Sequence, residues 1–575
     1  MLDVLFVTPN RDLSLWQEVN GTMLLATQLL QDDFQVELLR FASFDSLNKD
    51  YPLFIRQMTD RILELQPKCV SFYCMCETYH IMMRLAANIK QFAPQIHTVF
   101  GGPQATATAM DTMKAADYVD YICSGEGELT VTPFFQGLLR GQGNPLEVAG
   151  VYGRRDGQIV HCQTPVPMAD LDTLPEWDPR LSPPLTKEYF DKTAHSVRID
   201  SGRGCPYNCT FCCTKNFWRR VYRLKSPDRL IQEIRNAKER YNTNSFCFSH
   251  DAFTANMNSV HALCDRLIAE MPDIRWQCST RLNCVNQELL LKMKKAGLFK
   301  VGVGIETGSP RMQKITNKNL NLEQLPPMVK FCKEQRITTE FLFMYGFPEE
   351  TEEDLQLTLE VLCNTLEQGA NGVQMAYCVF HPSTQITEQN YDNLVFDPSI
   401  NVIHRNIFGY KEELDLIRQN KPIFPFYYHL PTKVRDEYRY LSILARLYQL
   451  FTGPMSQLRQ LYGGDLLKLY KDFEKANPLM FQDIDKAIQQ TKDEPLTQLQ
   501  GLLELCGHPQ TKGIYEQMRY MWTERQFRKG KFGPVHLEQY NVTSQSLRDL
   551  SAAPTAGTCR VMYRKQGNTI QIATI

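Results

Sequence analysis

The sequence predicts an α/β protein in three parts: a doubly wound parallel α/β domain, a partial (β/α)6 barrel and a mainly helical C-terminal domain. Two series of apolar strand-like runs alternate with amphipathic helical runs, and a proline-rich stretch separates the two series. A single hydrophobic core stops growing near ~250–300 residues, so a chain of 575 residues is expected to hold several domains. We place the parts at 1–162, 163–194 (linker), 195–394 and 395–575.

The first domain has strands that are apolar throughout. VLFVTP (4–9), VSFYC (70–74) and YVDYIC (118–123) read in this way and alternate with helical patterns, which predicts a parallel sheet covered on both faces. Glycine-rich or polar residues follow three of these strands, and ligands of open α/β sheets bind at that edge. The loops are Cys74 to Thr78, Gly101-Gly102-Pro103 and Ser124-Gly125-Glu126-Gly127-Glu128. They are either a ligand-binding edge or simple tight turns.

The linker and the second series are distinguished by their composition. Residues 163–194 carry six prolines among acidic and polar residues, which is typical of a linker. Strand candidates then follow at 245–250, 274–279, 300–306, 338–346 and 372–380, with helical patterns between them. This order predicts a partial barrel whose site lies at the carboxyl ends of the strands.

The C-terminal part is predicted to be mainly helical. Residues 435–451 and 456–473 have apolar residues at helical spacing, which is more typical of packing faces than of a cofactor site. The last residues are expected to form a β-hairpin that turns at Gly567-Asn568.

Charge and cysteine usage exclude some classes of protein. Lys and Arg number 63 against 64 Asp and Glu, so no overall charge points to a polyanionic partner. The basic and aromatic run from Trp218 to Lys225 and the run 528–531 leave a nucleic-acid groove open as an alternative to a solvated or cofactor-facing stretch. The start of the chain reads as a strand rather than a signal peptide, and no apolar stretch approaches the ~18 residues of a membrane span. The 18 scattered cysteines are expected to be mostly reduced thiols, so we expect a cytoplasmic protein.

Three cysteines stand on one short loop after the strand-like VRID (197–200). Their spacing is Cys205-x3-Cys209-x2-Cys212, and clustered soft thiolates select zinc or an iron–sulfur cluster. A structural zinc site normally closes with four ligands, and this triplet has no obvious partner pair. Three ligands to a four-iron cluster would leave one iron open to a substrate.

The loop resembles the radical S-adenosylmethionine (SAM) superfamily, whose motif is CxxxCxΦC with an aromatic residue where Phe211 stands. The resemblance implies a [4Fe–4S] cluster on the three cysteines and SAM at the open iron. It implies SAM contacts for Phe211, Asp251, Arg281 and Glu306, of which the last three stand at predicted strand ends. GFPEET (346–351) resembles another recurrent loop of the superfamily.

The first domain resembles that of the cobalamin-binding radical SAM subfamily, which implies a flavodoxin-like or Rossmann-like fold. The resemblance rests on GGPQAT (101–106) and GEGE (125–128) and covers about residues 1–390. It implies corrin contacts at Thr78, Gly101, Gly102, Gly125 and Glu126. The loop TPNRDLSLWQEVNG (8–21) lacks the histidine of the DxHxxG motif, so cobalt would be bound without a histidine from that loop. A degenerate domain that binds no corrin is the alternative.

The resemblance implies a methyltransferase. A 5′-deoxyadenosyl radical would remove hydrogen from an unactivated carbon (or phosphorus) centre of a small molecule or peptide, which would then take a methyl group from methylcobalamin. An electron donor such as flavodoxin or ferredoxin would reduce the cluster. Three alternatives stay open: cobalamin-dependent rearrangement, cyclisation or oxidation; modification of RNA; and a non-catalytic iron–sulfur or corrin sensor.

Overall fold

The computed structural model describes residues 2–10, 20–42, 50–163, 165–181, 196–397, 410–478, 484–566 and 569–574. The chain divides into two compact units. The first comprises Met1–Val301, Ile315–Asn319 and Val379–Pro431, and the second comprises Gly302–Lys314, Leu320–Cys378 and Thr432–Ile575.

The first sheet of the described residues has seven strands in the order β2-β1-β3-β4-β5-β6-β7. Strands β1 to β5 pair in parallel, and β6 and β7 add an antiparallel edge. The order 2-1-3-4-5 is that of flavodoxin-like folds, with a topological switch between β1 and β3, so the predicted fold is confirmed. The strands are β1 Val4–Asn10, β2 Val36–Ala42, β3 Cys69–Tyr73, β4 His97–Gly101, β5 Tyr121–Cys123, β6 Val151–Arg155 and β7 Gln158–His161.

Helices cover this sheet, and their apolar faces form its core. Phe6 of β1, Val99 of β4 and Phe134 of a helix are at most 3% exposed and belong to one apolar cluster. The helices are Asn20–Gln31, Tyr51–Glu64, Tyr79–Phe92, Pro103–Ala107, Ala109–Ala115 and Val131–Arg140.

The second sheet has six strands in the order β15-β14-β13-β12-β11-β8, which confirms the predicted partial barrel. The pairs β8–β11, β11–β12 and β14–β15 are parallel. The strands are β8 Val197–Asp200, β11 Ser245–Ser249, β12 Arg275–Arg281, β13 Leu298–Glu306, β14 Thr338–Tyr345 and β15 Gly372–Tyr377. Two-residue strands lie at β9 Gly202–Arg203, β10 Arg223–Leu224, β16 Val395–Phe396 and β17 Tyr428–His429.

Helices alternate with these strands along the chain, as the sequence predicts. Ser226 and Thr351 cap two of them, each through its side-chain oxygen on a backbone N–H of the first turn. The helices are Thr214–Trp218, Pro227–Tyr241, Met257–Glu270, Gln287–Lys295, Pro310–Ile315, Leu325–Glu334, Glu352–Glu367, Gln385–Asn390 and Lys411–Gln419.

The C-terminal part is helical, with a small antiparallel sheet at its end. Helices lie at Lys433–Glu437, Leu441–Leu450, Thr452–Leu461, Leu466–Ala476, Ile484–Asp493, Pro495–Cys506, Thr511–Arg528 and Ser544–Arg548. The sheet joins β18 Val535–Val542, β19 Ala556–Gln566 and β20 Thr569–Thr574. Strands β19 and β20 pair as the predicted hairpin requires, and its turn at 567–568 lies outside the described residues. Among the described helices, none is both long and apolar enough to cross a bilayer.

Candidate functional site

The cysteine loop begins where β8 ends and passes very close to a neighbouring strand. A Cβ added at Gly202 would collide with the Arg223 carbonyl, and one at Gly204 with the Val221 carbonyl. Gly204 also has φ +82°, which L side chains rarely adopt. The two glycines therefore let the loop pair with the Val221–Arg223 segment and fix where the cysteines begin.

The three thiols of this loop are close enough to affect one another. Cys209 is buried, and Cys205 and Cys212 are half-buried. Burial raises the pKa of Cys205 to about 11, and the nearby Cys212 and Cys209 add to that shift. Burial likewise raises the pKa of Cys212. Since a thiolate is the ligand form, this site needs a positively charged partner such as iron to hold its sulfurs ionised.

Within the described ranges, no three His, Cys, Asp or Glu side chains are arranged to hold one metal ion. A four-iron cluster makes a different demand, because each thiolate binds a separate corner and the sulfurs need not meet at a point. Three cysteines on one loop fit that demand and leave the fourth corner open.

Two of the predicted SAM residues lie beside the cysteine loop. The Arg281 guanidinium, at the end of β12, donates to Cys209 Sγ at 3.4 Å. Asp251 accepts hydrogen bonds from the Gly204 backbone and the Trp218 side chain, while burial raises the pKa of its carboxyl. Phe211 is half-buried within the loop itself.

Glu306, the fourth predicted SAM residue, ends β13 in the second unit. It is buried and has φ +69°, a backbone conformation that is unusual for a residue with a side chain. The Gln313 side chain donates to the carbonyls of Ile305 and Thr307 and so holds this strand end in place. Such strain at a strand end is typical of functional positions.

The three predicted corrin loops line one cavity of about 630 Å³ within the first unit. Thr78 Oγ1 is buried there and has no hydrogen-bond partner within the described part of the chain. Gly102 has φ +99° and ψ −178°, and a Cβ on it would lie 3.0 Å from the Cys74 carbonyl oxygen. Gly101 and Gly125 also line the cavity. A partnerless hydroxyl and close-packed glycine backbone fit a large polar ligand such as a corrin.

Glu126 lines the same cavity, but its carboxylate is already engaged. It forms a bidentate ion pair with Arg223, accepts the Met168 N–H and lies 3.5 Å from Arg203. Arg203 also pairs with Glu128 at 2.6 Å and with Asp200 at 3.4 Å. These charged side chains are nearly all buried. The Trp218 ring centre lies 5.6 Å from the guanidinium carbon of Arg203 and 5.9 Å from that of Arg223.

Sequence reasoning missed this buried network. Its ion pairs join residues up to 97 positions apart, so no local sequence pattern predicts them. The only signals are alternate acids in GEGE and an arginine two positions before Cys205.

Barrel residues line the other side of the cavity. Asp200 and Ser249 end β8 and β11, and His250 and Asp251 follow β11. Asp251 is therefore the predicted SAM residue that faces the same cavity as the corrin loops, whereas the three cysteines of the loop, Phe211, Arg281 and Glu306 are not among the residues that line it. His250 accepts the Ala252 N–H at Nδ1, which leaves Nε2 to donate to the Arg223 carbonyl. Burial lowers the pKa of His250 to about 4, so its imidazole is neutral at pH 7.

Family profiles match the two halves of this arrangement. The radical SAM superfamily matches residues 199–362, and the B12 binding domain matches residues 18–134. The chain is a radical SAM enzyme with a cobalamin-binding domain. Its cofactors are accordingly a [4Fe–4S] cluster, SAM and cobalamin, as the sequence predicts. The loop at 8–21, which lacks the lower histidine, lies mostly outside the described residues.

Curated relatives of this radical SAM enzyme include methyltransferases and cyclases. An uncharacterized methyltransferase of Pyrococcus horikoshii is 26% identical over 370 residues, which cover 63% of this chain and 77% of the relative. The anaerobic magnesium-protoporphyrin IX monomethyl ester cyclase of Rubrivivax gelatinosus is 28% identical over 319 residues, 53% of this chain. The chain spans about half (56%) of the length of that cyclase.

Solved structures share the fold. The cobalamin-dependent SAM radical enzyme OxsB, with aqua-cobalamin and SAM bound, superposes with a TM-score of 0.58 at 13% identity, over 92% of this chain and 82% of that one. The radical SAM methyltransferase TsrM of Kitasatospora setae, with cobalamin and a [4Fe–4S] cluster bound, superposes with a TM-score of 0.54 at 15% identity, over 68% of this chain and 75% of that one.

Proposed function

We propose that this chain is a cobalamin-dependent radical SAM methyltransferase that acts on an unactivated carbon or phosphorus centre of a small molecule or peptide. The observation that carries the proposal is the shared cavity of about 630 Å³, which the corrin loops and the barrel strand ends line together. A methyl donor and a radical generator must reach the same substrate atom, so one space between their sites suits that chemistry. The methyltransferases among the relatives support the proposal.

The protein side chains hold and orient the cofactors. When bound, the cluster with SAM supplies a radical and cobalamin supplies a methyl group. We assign the cluster to Cys205, Cys209 and Cys212, and the SAM contacts to Phe211, Asp251, Arg281 and Glu306. Thr78, Gly101, Gly102, Gly125 and Glu126 remain our assignment for the corrin edge.

The cavity lining supports orientation of the cofactors and exclusion of water. Neutral His250 cannot act as a general acid at pH 7, because its pKa is about 4. Phe217 and Trp218 add apolar surface to the lining, which favours a dry site.

The reaction also needs electrons and a reducing compartment. We propose an external donor such as flavodoxin or ferredoxin, since the cluster must be reduced one electron at a time. A cytoplasmic location is in keeping with the cysteines, since all 18 lie within the described residues and none of them forms a disulfide.

Anaerobic incubation of the reconstituted full chain with SAM, cobalamin and dithionite tests the proposal. We expect both S-adenosylhomocysteine, from methyl transfer to the corrin, and 5′-deoxyadenosine, from radical formation. Cys209→Ala should lose 5′-deoxyadenosine, while Cys332→Ala, which removes a buried thiol far along the chain from the loop, should retain it. 5′-Deoxyadenosine without cobalamin-dependent S-adenosylhomocysteine would contradict methyl transfer.

That contradictory outcome would favour the second candidate, a cobalamin-dependent radical cyclisation, rearrangement or oxidation. The cyclase relatives at 26–28% identity give this candidate its support. Absence of both products under strong reductant would instead favour a sensor.

A further inference from the structure

We propose that Arg281 sets the reduction potential of the cluster by holding its positive charge against the Cys209 sulfur. This role is additional to the SAM contact assigned above. It depends on a cluster being bound to the cysteine loop and is independent of whether the enzyme transfers methyl groups.

The contact itself is short and buried. Arg281 Nη1 donates to Cys209 Sγ at 3.4 Å, within the range of a hydrogen bond to sulfur. Arg281 is 6% exposed and Cys209 is 8% exposed. Little water therefore screens the charge of the guanidinium from the sulfur.

Neighbouring side chains fix the guanidinium in this position. Asn283 Oδ1 accepts from Arg281 Nε at 2.8 Å, and the Tyr207 ring lies 4.0 Å from the guanidinium carbon. The Tyr207 hydroxyl is held in turn by Cys284 Sγ at 3.0 Å and by Asn283 Nδ2 at 3.3 Å. An arginine restrained on two sides is preorganised, so little entropy is lost when it binds the sulfur.

The SAM role does not compete for the same atoms. A guanidinium has five N–H donors. In Arg281, one of them binds Asn283 Oδ1 and another binds Cys209 Sγ. The other three can serve a carboxylate or hydroxyl of SAM.

The effect on reduction follows from charge. One electron from an external reductant enters the cluster, no covalent bond forms or breaks, and the cluster gains one negative charge. A nearby positive charge stabilises the reduced form more than the oxidised form, and hydrogen bonds to cluster sulfurs raise the potential in the same direction. Removing the charge of Arg281 should therefore make the cluster harder to reduce.

The test is an EPR-monitored redox titration of the reconstituted full chain without SAM. We expect Arg281→Gln to lower the equilibrium constant for reduction by about tenfold, which is ~59 mV for one electron. Arg281→Lys keeps the charge and should recover much of the shift. If Arg281 acted only by contacting SAM, its substitution would not shift the potential of the cluster, because the titration contains no SAM.

Arg275→Gln is the matched control. Arg275 begins the same strand six residues earlier, roughly 20 Å away at the rise of a β-strand, and stacks on Phe299 instead. It should leave the potential unchanged.

An unchanged potential in Arg281→Gln, or an equal shift in Arg275→Gln, would overturn the proposal. If the Arg281→Gln variant does not bind a cluster, the same redox titration is carried out on Asn283→Ala. This variant frees the guanidinium, so the potential should still fall by a smaller amount, and no fall would overturn the proposal.

Discussion

Arg203 pairs with Glu128 at 2.6 Å, and both side chains are at most 6% exposed. The pair links the GEGE loop of the cobalamin-binding domain to the strand that leads into the cysteine loop. Buried pairs of this kind are weak stabilisers as a whole, but removal of one partner leaves an uncompensated charge. The pair is therefore expected to fix the relative position of the two loops more than to add stability.

Arg203→Met should destabilise the full chain by about 3–5 kcal/mol, because Glu128 and Asp200 would lose the guanidinium that they pair with and Glu126 would keep only Arg223. Urea unfolding followed by circular dichroism measures this loss. Arg61→Met is the control, since the Arg61–Glu64 pair at 3.2 Å has side chains 57% and 65% exposed. It should cost less than about 1 kcal/mol. Equal costs would contradict a buried, coupled network.

Gly102→Ala should weaken cobalamin binding by at least about tenfold, or ~1.4 kcal/mol. The backbone of Gly102, at φ +99° and ψ −178°, lies in a region open essentially only to glycine, and the new methyl would press on Cys74. Gly141→Ala also has positive φ, but nothing lies within 4 Å of its Cβ. Absorbance titration with cobalamin compares the two, and an unchanged affinity in Gly102→Ala would remove this loop from the corrin site.

Thr78→Val should lower cobalamin affinity by roughly 0.5–1.5 kcal/mol without loss of stability in the cofactor-free chain. The hydroxyl of Thr78 is buried without a described partner, so its removal costs the empty protein nothing. Thr112→Val is the converse case, since Thr112 Oγ1 bonds the buried Tyr79 hydroxyl at 2.8 Å. Thr112→Val should therefore lose stability and keep its affinity for cobalamin. Thermal melts and the same absorbance titration measure both properties. Lower stability in Thr78→Val, or weaker cobalamin binding in Thr112→Val, would contradict these assignments.

Sequence predicts the architecture here because the strands are apolar throughout and the helices keep a 3.6-residue period. It predicts the cysteine loop because Cys205, Cys209 and Cys212 lie within eight residues. It does not predict the Glu126–Arg223 pair, which joins loops 97 positions apart, nor that Arg281 turns toward a sulfur. Those features depend on how strand ends meet in space. Glu126 shows the consequence: a residue assigned to cobalamin has its carboxylate in ion pairs, and its corrin contact stays a prediction.

Glu350 of the GFPEET loop should make the second unit less stable as the pH rises from about 4.5 to about 8. Burial raises the pKa of this carboxyl to about 8, so the folded chain holds a proton that the unfolded chain releases near 4.5. The stabilisation is therefore complete below about 4.5 and is lost as the pH rises through about 8. Its size is on the order of a few kcal/mol.

Glu350→Gln keeps an oxygen for the Gly346 N–H and removes the titration. Urea midpoints between pH 5 and 8 should vary less in this variant than in the parent, whereas the exposed Glu353→Gln should follow the parent. A parent-like slope in Glu350→Gln would show that another group controls this range.

The most direct test of the central claim is the iron and corrin content of the full chain after anaerobic reconstitution with iron, sulfide and cobalamin. An absorption spectrum with metal analysis should give about four irons and one corrin per chain. Cys209→Ala should lose the iron and keep the corrin. Iron without corrin in the parent chain would contradict the cobalamin site, and unchanged iron in Cys209→Ala would contradict the cluster on Cys205, Cys209 and Cys212.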